Sequence, residues 1–133
     1  MNNSKRLSIW VKQMNAILSI KPEFVKEIVT GKKLFEYRKS VFKHPVEKVY
    51  IYASAPISKV VGEFRPVDIL NGAPDEIWKR TRYSAGISEQ FYDEYFAGRT
   101  EAFAIVIQNL KIYETPKELP FHAPQNFRYV ESI

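Results

Sequence analysis

The chain has 133 residues, 45% of them hydrophobic, which suits one domain with a real core and excludes a disordered polypeptide. Twenty Lys and Arg against fifteen Asp and Glu leave a formal net charge of +5, consistent with an anionic partner without identifying one. The lack of cysteine excludes disulfides, His44 and His122 stand without metal-ligand spacing, and no apolar run has the length of a membrane span. With no signal-peptide pattern at its N-terminus, the chain is expected to be a soluble cytoplasmic protein that uses no metal or other cofactor.

Residues 1–13 are polar and basic apart from Leu7, Ile9, Trp10 and Val11, and read as an extension of doubtful order. A single domain is expected over 14–133. Its first strand is the apolar run Ala16–Ile20, just after Met14 and Asn15. Pro22 can open a short helix to Thr30 with Phe24, Val25, Ile28 and Val29 on one stripe, and Gly31 can end it in a left-handed conformation.

The segment from Lys33 to Arg38 then reads as a strand. Alternation places Leu34, Glu36 and Arg38 on one face and Lys33, Phe35 and Tyr37 on the other. Glu36 and Arg38 would lie about 7 Å apart, close enough to orient each other or to grip one ligand. A carboxylate and a guanidinium turned inward are costly unless paired, so a buried pair there would mark a site, and a solvated pair would mark an ordinary strand face.

After a loop at Ser40–Glu47, Lys48–Ala53 is a strand rich in β-branched and aromatic residues. Lys59–Phe64 is another, expected to continue past Pro66 into Val67–Leu70, with a bend or a close approach at Gly62. Pro74 opens a helix whose first turn carries Asp75 and Glu76. Ser88 is the N-cap of a further helix with Phe91, Tyr92, Tyr95 and Phe96 as its apolar face, closed by Gly98. Phe103–Ile107 forms the core of a last strand. The order suggests an α+β domain in which a small mixed sheet curls into a barrel flanked by helices. Pro116, Pro120 and Pro124 argue against regular structure in the C-terminal stretch, whose Phe121, Phe127 and Tyr129 would pack on the body. Alternatively Phe127, Arg128 and Tyr129 would line a base-binding groove.

Several further residues are candidates for a site. Lys21 stands before Pro22 at a helix N-terminus, where free N–H groups favour phosphate. Ser54 ends a strand and offers a hydroxyl, either to a ligand or to its own turn. Glu63 lies mid-strand and, if turned inward, would pair with Arg38 or Lys33. Lys79, Arg80 and Arg82 make a basic cluster that is either a solvated face or a contact for a nucleic-acid backbone.

Ile17–Phe24, Gly31–Arg38, Tyr50–Ser54 and Val60–Phe64 together resemble the ASCH domain family, whose most recognisable mark is the Gly-x-Lys-x-x-Glu-x-Arg arrangement. The resemblance runs over roughly Met14 to Leu110, and Gly86–Ser88 and Tyr95–Gly98 are similar to a microbial subgroup. It implies a PUA-like barrel with a cleft beside it and a role in binding RNA or a modified nucleotide. Small members of the family hydrolyse N4-acetylcytidine, and others have been described as ribonucleases. The amidohydrolase pattern calls for a lysine, matched by Lys33, and for a threonine where this chain has Glu36. Its downstream glutamate has no secure counterpart, although Glu76 lies in a comparable region. Two readings stay open: a binding module using Lys21, Lys33, Glu36, Arg38, Ser54 and Glu63, and an enzyme in which Lys33 and Glu36 do acid–base work. Neither reading fixes an oligomeric state.

Overall fold

The computed structural model describes residues 14–133, so the apolar residues of the N-terminal extension lie outside the described part. Eight strands and three α-helices follow the order β1 Met14–Ile20, α1 Pro22–Val29, β2 Phe35–Arg38, β3 Val46–Ala53, β4 Lys59–Arg65, β5 Ile69–Gly72, α2 Pro74–Thr81, α3 Glu89–Tyr95, β6 Ala102–Val106, β7 Gln108–Lys117 and β8 Phe127–Val130. A 3-10 turn at Arg82–Ser84 leads out of α2.

Two sheets result. One has the order β7-β4-β3-β1-β8, with β1 and β3 parallel and the other pairs antiparallel; the second is antiparallel, in the order β2-β6-β5. The α+β class expected from sequence is therefore present, but the described strands do not close into one hydrogen-bonded barrel. The main core lies between the sheets, where Leu18, Ile20, Val49, Ile51, Phe64 and Ile105 meet Val25 and Ile28 of α1. A second cluster packs Phe35 and Tyr37 against Ile77 of α2, Tyr92 of α3 and Phe96 just after it. A third, on the outer face of the large sheet, joins Ile17, Tyr50, Val60 and Val130 under Leu119 and Phe121.

Three expectations are corrected. Val67–Leu70 does not continue β4: Pro66, which has no N–H for a ladder, separates β4 in the large sheet from β5 in the small one. The C-terminal stretch is not devoid of regular structure, since β7 and β8 form there. Both are edge strands, and Pro116 is tolerated in β7 because an edge needs hydrogen bonds on one side only. The strand after α1 begins at Phe35, so Lys33 precedes it and the two-residue alternation does not govern Lys33.

The end of α1 explains that last point. Gly31 has φ +80, its N–H donates to the Ile28 carbonyl, and the N–H groups of Lys32 and Lys33 both donate to the Glu27 carbonyl. This is a Schellman closure extended by one residue, and it turns the chain so that Lys33 enters the protein. Within β2 the alternation holds. Phe35 and Tyr37 face the helices, and Glu36, level with Ile105 of β6, faces the gap between the sheets.

Candidate functional site

At the open end of that gap lies a pocket of about 580 Å³. Its floor comes from the ends of β1 and β3 and from β2, one wall from α1 and α3, and its rim from the segment before β8. Five cationic side chains line it (Lys21, Lys33, Arg38, Lys39 and Arg99) against the single carboxylate of Glu36.

Glu36 sits between two of those cations. Its carboxylate lies 3.1 Å from a terminal nitrogen of Arg38 and 3.7 Å from Lys33 Nζ, with the three side chains 7%, 11% and 1% exposed. Lys33 Nζ also donates to the Ala85 carbonyl at 3.1 Å and lies 4.7 Å from the centre of the Tyr37 ring. Burial outweighs the nearby carboxylate and holds the Lys33 ammonium below the usual lysine range, with Arg38 adding to the depression. Arg38 donates to the Ser19 carbonyl at 2.8 Å and to Asn126 Oδ1 at 2.9 Å, which ties β2 to β1 and to the segment before β8. Its Nε is buried with no hydrogen-bond partner among the described residues, an unused donor in the one side chain that links three elements of the pocket.

The wall is aromatic. Phe24 packs edge-on against Phe91 at 5.0 Å, and the Phe91 and Tyr95 rings are nearly parallel, 6.4 Å apart. Lys21 Nζ lies 5.3 Å from the Phe91 ring and Lys39 Nζ 4.6 Å from the Tyr95 ring, both within cation–π range. Burial pushes the Tyr95 phenol up despite Arg38, so at neutral pH it keeps its proton and can donate a hydrogen bond. A floor of fixed charge beside a wall of ring faces can hold a flat heterocycle and an anionic group together.

Of the residues singled out in the sequence, the fold brings Lys21, Lys33, Glu36, Arg38 and Ser54 to this pocket. Glu63 is not among them. It lies on the outer face of the large sheet, where Lys48 pairs with it at 3.2 Å and the Tyr113 hydroxyl donates to it at 2.8 Å. Its register opposite Tyr50 on β3 is the reason, because that position points away from the gap. Glu76 is exposed on α2 and does not line the pocket, nor do Lys79 and Arg80. Phe127 and Tyr129 pack on Phe42, and Arg128 lies over the Phe121 ring, so this segment packs on the body. Its contribution to the pocket is Gln125 and Asn126. Among the described residues no group of three His, Asp or Glu side chains is placed to hold a metal.

Sequence reasoning missed Ser19, Phe91, Tyr95, Arg99 and Asn126 as pocket residues. Helix α3 did carry a signal: three aromatics on its seven residues and Phe96 at its C-cap form two adjacent i, i+4 stripes, more than one buried stripe needs. Tyr92 and Phe96 take the core, and Phe91 and Tyr95 are left half-buried at the pocket.

The chain matches the ASCH domain over residues 18–114. An ASCH domain-containing ribonuclease of Zymomonas mobilis is 35% identical over 95 residues, covering 71% of this chain and 64% of that protein. A crystal structure of ASCH from Zymomonas mobilis superposes with a TM-score of 0.80 at 30% identity, covering 87% of each chain. The ribosomal protein uL22 of Ureaplasma parvum is 33% identical over 90 residues, 65% of this chain and 29% of that protein. The matched region thus spans less than two thirds of these curated relatives. The structural likeness supports a PUA-like arrangement of the two sheets.

Proposed function

This chain belongs to the ASCH domain family, and from that premise we propose that it binds RNA, taking one nucleotide of the strand into the pocket around Lys33, Glu36 and Arg38. One observation carries the reading: ring faces of Phe24, Phe91 and Tyr95 stand beside five cations in one concave site. A base stacks on aromatic side chains, and its phosphate finds Lys21, Lys39 and Arg99, the pocket cations with no carboxylate partner among the described residues. Arg38 and Asn126, fixed to each other, present donors to the polar edge of the base.

The test is a titration of single-stranded RNA at two salt concentrations. Binding should weaken steeply as salt rises. Arg38→Lys should cost about tenfold in affinity, because an ammonium cannot hold Glu36, Ser19 and Asn126 together as a guanidinium fork does. No RNA binding at low salt overturns the reading.

A second reading, cleavage of the strand, is favoured by the ribonuclease relative and by the depressed ammonium of Lys33. In it, neutral Lys33 takes the proton of a ribose 2′-hydroxyl as that oxygen bonds to phosphorus. The P–O5′ bond breaks, leaving a cyclic phosphate, and water supplies a proton to the departing oxygen. Glu36 holds the new ammonium, and Arg38 steadies the charge on phosphorus. Lys33→Met should then abolish product while leaving RNA bound. Deacetylation of N4-acetylcytidine is the weaker enzymatic reading, since Glu36 replaces the hydroxyl residue that chemistry uses.

A further inference from the structure

A second, shallower depression of about 470 Å³ adjoins the pocket and shares Phe24 and Ile87 with it as a common ridge. Tyr83 stands in this depression, 72% exposed, the most exposed large hydrophobic side chain among the described residues. Phe35, buried beneath it, meets it in a T-shaped contact at 5.7 Å and 87°, and most of the Tyr83 ring stays open. Tyr83 lies outside the core and outside the pocket, and the fold gains little from an aromatic there.

The depression also holds Lys32 and Arg82 against Glu23 and Glu27, two cations and two carboxylates. It therefore lacks the cationic excess of the first pocket and does not suit a second isolated phosphate. A ring face beside carboxylate acceptors suits a nucleobase, whose amino group can donate to them.

Resting on the RNA reading above, we propose that this depression is a second nucleotide subsite, in which the base next to the pocketed one stacks on Tyr83, and that the ligand is single-stranded RNA of at least two nucleotides. The Phe24–Ile87 ridge separates the two bases and holds the strand in an unstacked, bent path. Adenine, cytosine and guanine carry the amino donor that Glu23 and Glu27 can accept, and uracil does not.

The test compares binding of a 5′-mononucleotide and a single-stranded hexaribonucleotide of mixed sequence to the intact chain and to Tyr83→Ala and Tyr83→Phe. The wild type should bind the hexamer more tightly than the mononucleotide. Tyr83→Ala should weaken hexamer binding about tenfold and leave mononucleotide binding unchanged, while Tyr83→Phe keeps wild-type affinity. An oligouridylate hexamer should bind more weakly than oligocytidylate. Equal affinity of the wild type for mononucleotide and hexamer, or unchanged hexamer binding by Tyr83→Ala, overturns the second subsite and leaves the pocket reading standing. No binding of either ligand by the wild type overturns both.

Discussion

Two carboxylates of this chain look alike in sequence and differ in the fold. Glu36 and Glu63 both lie within strands and both end up beside cations. Glu36 is 7% exposed between Lys33 and Arg38 in a concave pocket, while Glu63 is 19% exposed on the outer sheet face with Lys48 and Tyr113. Burial pushes the Glu63 carboxyl up, but the hydrogen bonds from Tyr113 and Lys48 and the charges of Lys48 and Lys111 outweigh it and leave the carboxyl below its ordinary range. That cluster satisfies itself. The Glu36 cluster does not, since it leaves a buried ammonium that holds its proton less tightly than an ordinary lysine and a guanidinium nitrogen without a partner among the described residues. The difference teaches that a site is marked by charge held where water cannot screen it, not by charge pairs as such.

The sharpest way to break this comparison is to remove each carboxylate in turn. Glu36→Ala strands two nearly buried cations and should cost about 3–5 kcal/mol in urea unfolding. Glu63→Ala leaves Lys48 free to turn to water and should cost about 1 kcal/mol or less. Equal losses would erase the distinction.

How much of this was legible in the sequence differs between the two clusters for a physical reason. The period-two rule placed Glu36 and Arg38 on one face, and Pro22 and Gly31 fixed the helix that precedes them, because those are local properties of the backbone. The same rule could not say which way Glu63 points. That depends on β4 pairing with β3 in a register broken by a bulge between Ile51 and Tyr52, a long-range fact. Lys33 escaped the rule because the turn after Gly31 delivers it to the interior from outside the strand. Strand β7 was hidden by Pro116, whose cost disappears at a sheet edge, and Asn126 and β8 were hidden by Pro120 and Pro124, which lie in the loop before them and not in the strand.

Burial of Lys33 itself depends on Gly86. A Cβ there would stand 2.3 Å from Lys33 Cβ, and the residue has φ +67. Gly86→Ala should therefore cost about 2–3 kcal/mol, strain and overlap together. Gly31→Ala is the control: φ is +80, with nothing within 4 Å of the added carbon, so only the conformational cost of about 1 kcal/mol remains. The gap between the two variants measures the packing on Lys33, and the Glu63 cluster should not respond to either. A Gly86→Ala variant no less stable than Gly31→Ala would show that Lys33 can move aside, and the pocket floor would then not be rigid.

The smallest effect is in the pH dependence, and it separates the clusters by sign. The folded protein holds the Lys33 proton less tightly than the unfolded chain does, so between the depressed folded pKa and the ordinary value of 10.5 the unfolded state binds more protons. Stability should rise with pH across that window, and below it the full penalty of a buried ammonium applies. Glu63 works at the acid end: its contribution is present above its ordinary pKa of 4.5 and is lost as pH falls through the lower folded value. Tyr37, pushed up to about 12 by burial, destabilises the fold only above pH 10, where the unfolded phenol ionises first. Urea unfolding of wild type and Lys33→Met from pH 7 to pH 9.5 isolates the first term. Lys33→Met should be within about 1 kcal/mol of wild type at pH 7, or more stable, because a buried cation is replaced by a side chain that needs no partner while Glu36 keeps Arg38. As pH rises the wild type should gain on the variant. Two curves that stay parallel would mean that Lys33 keeps its proton throughout, and would remove it as the base in strand cleavage.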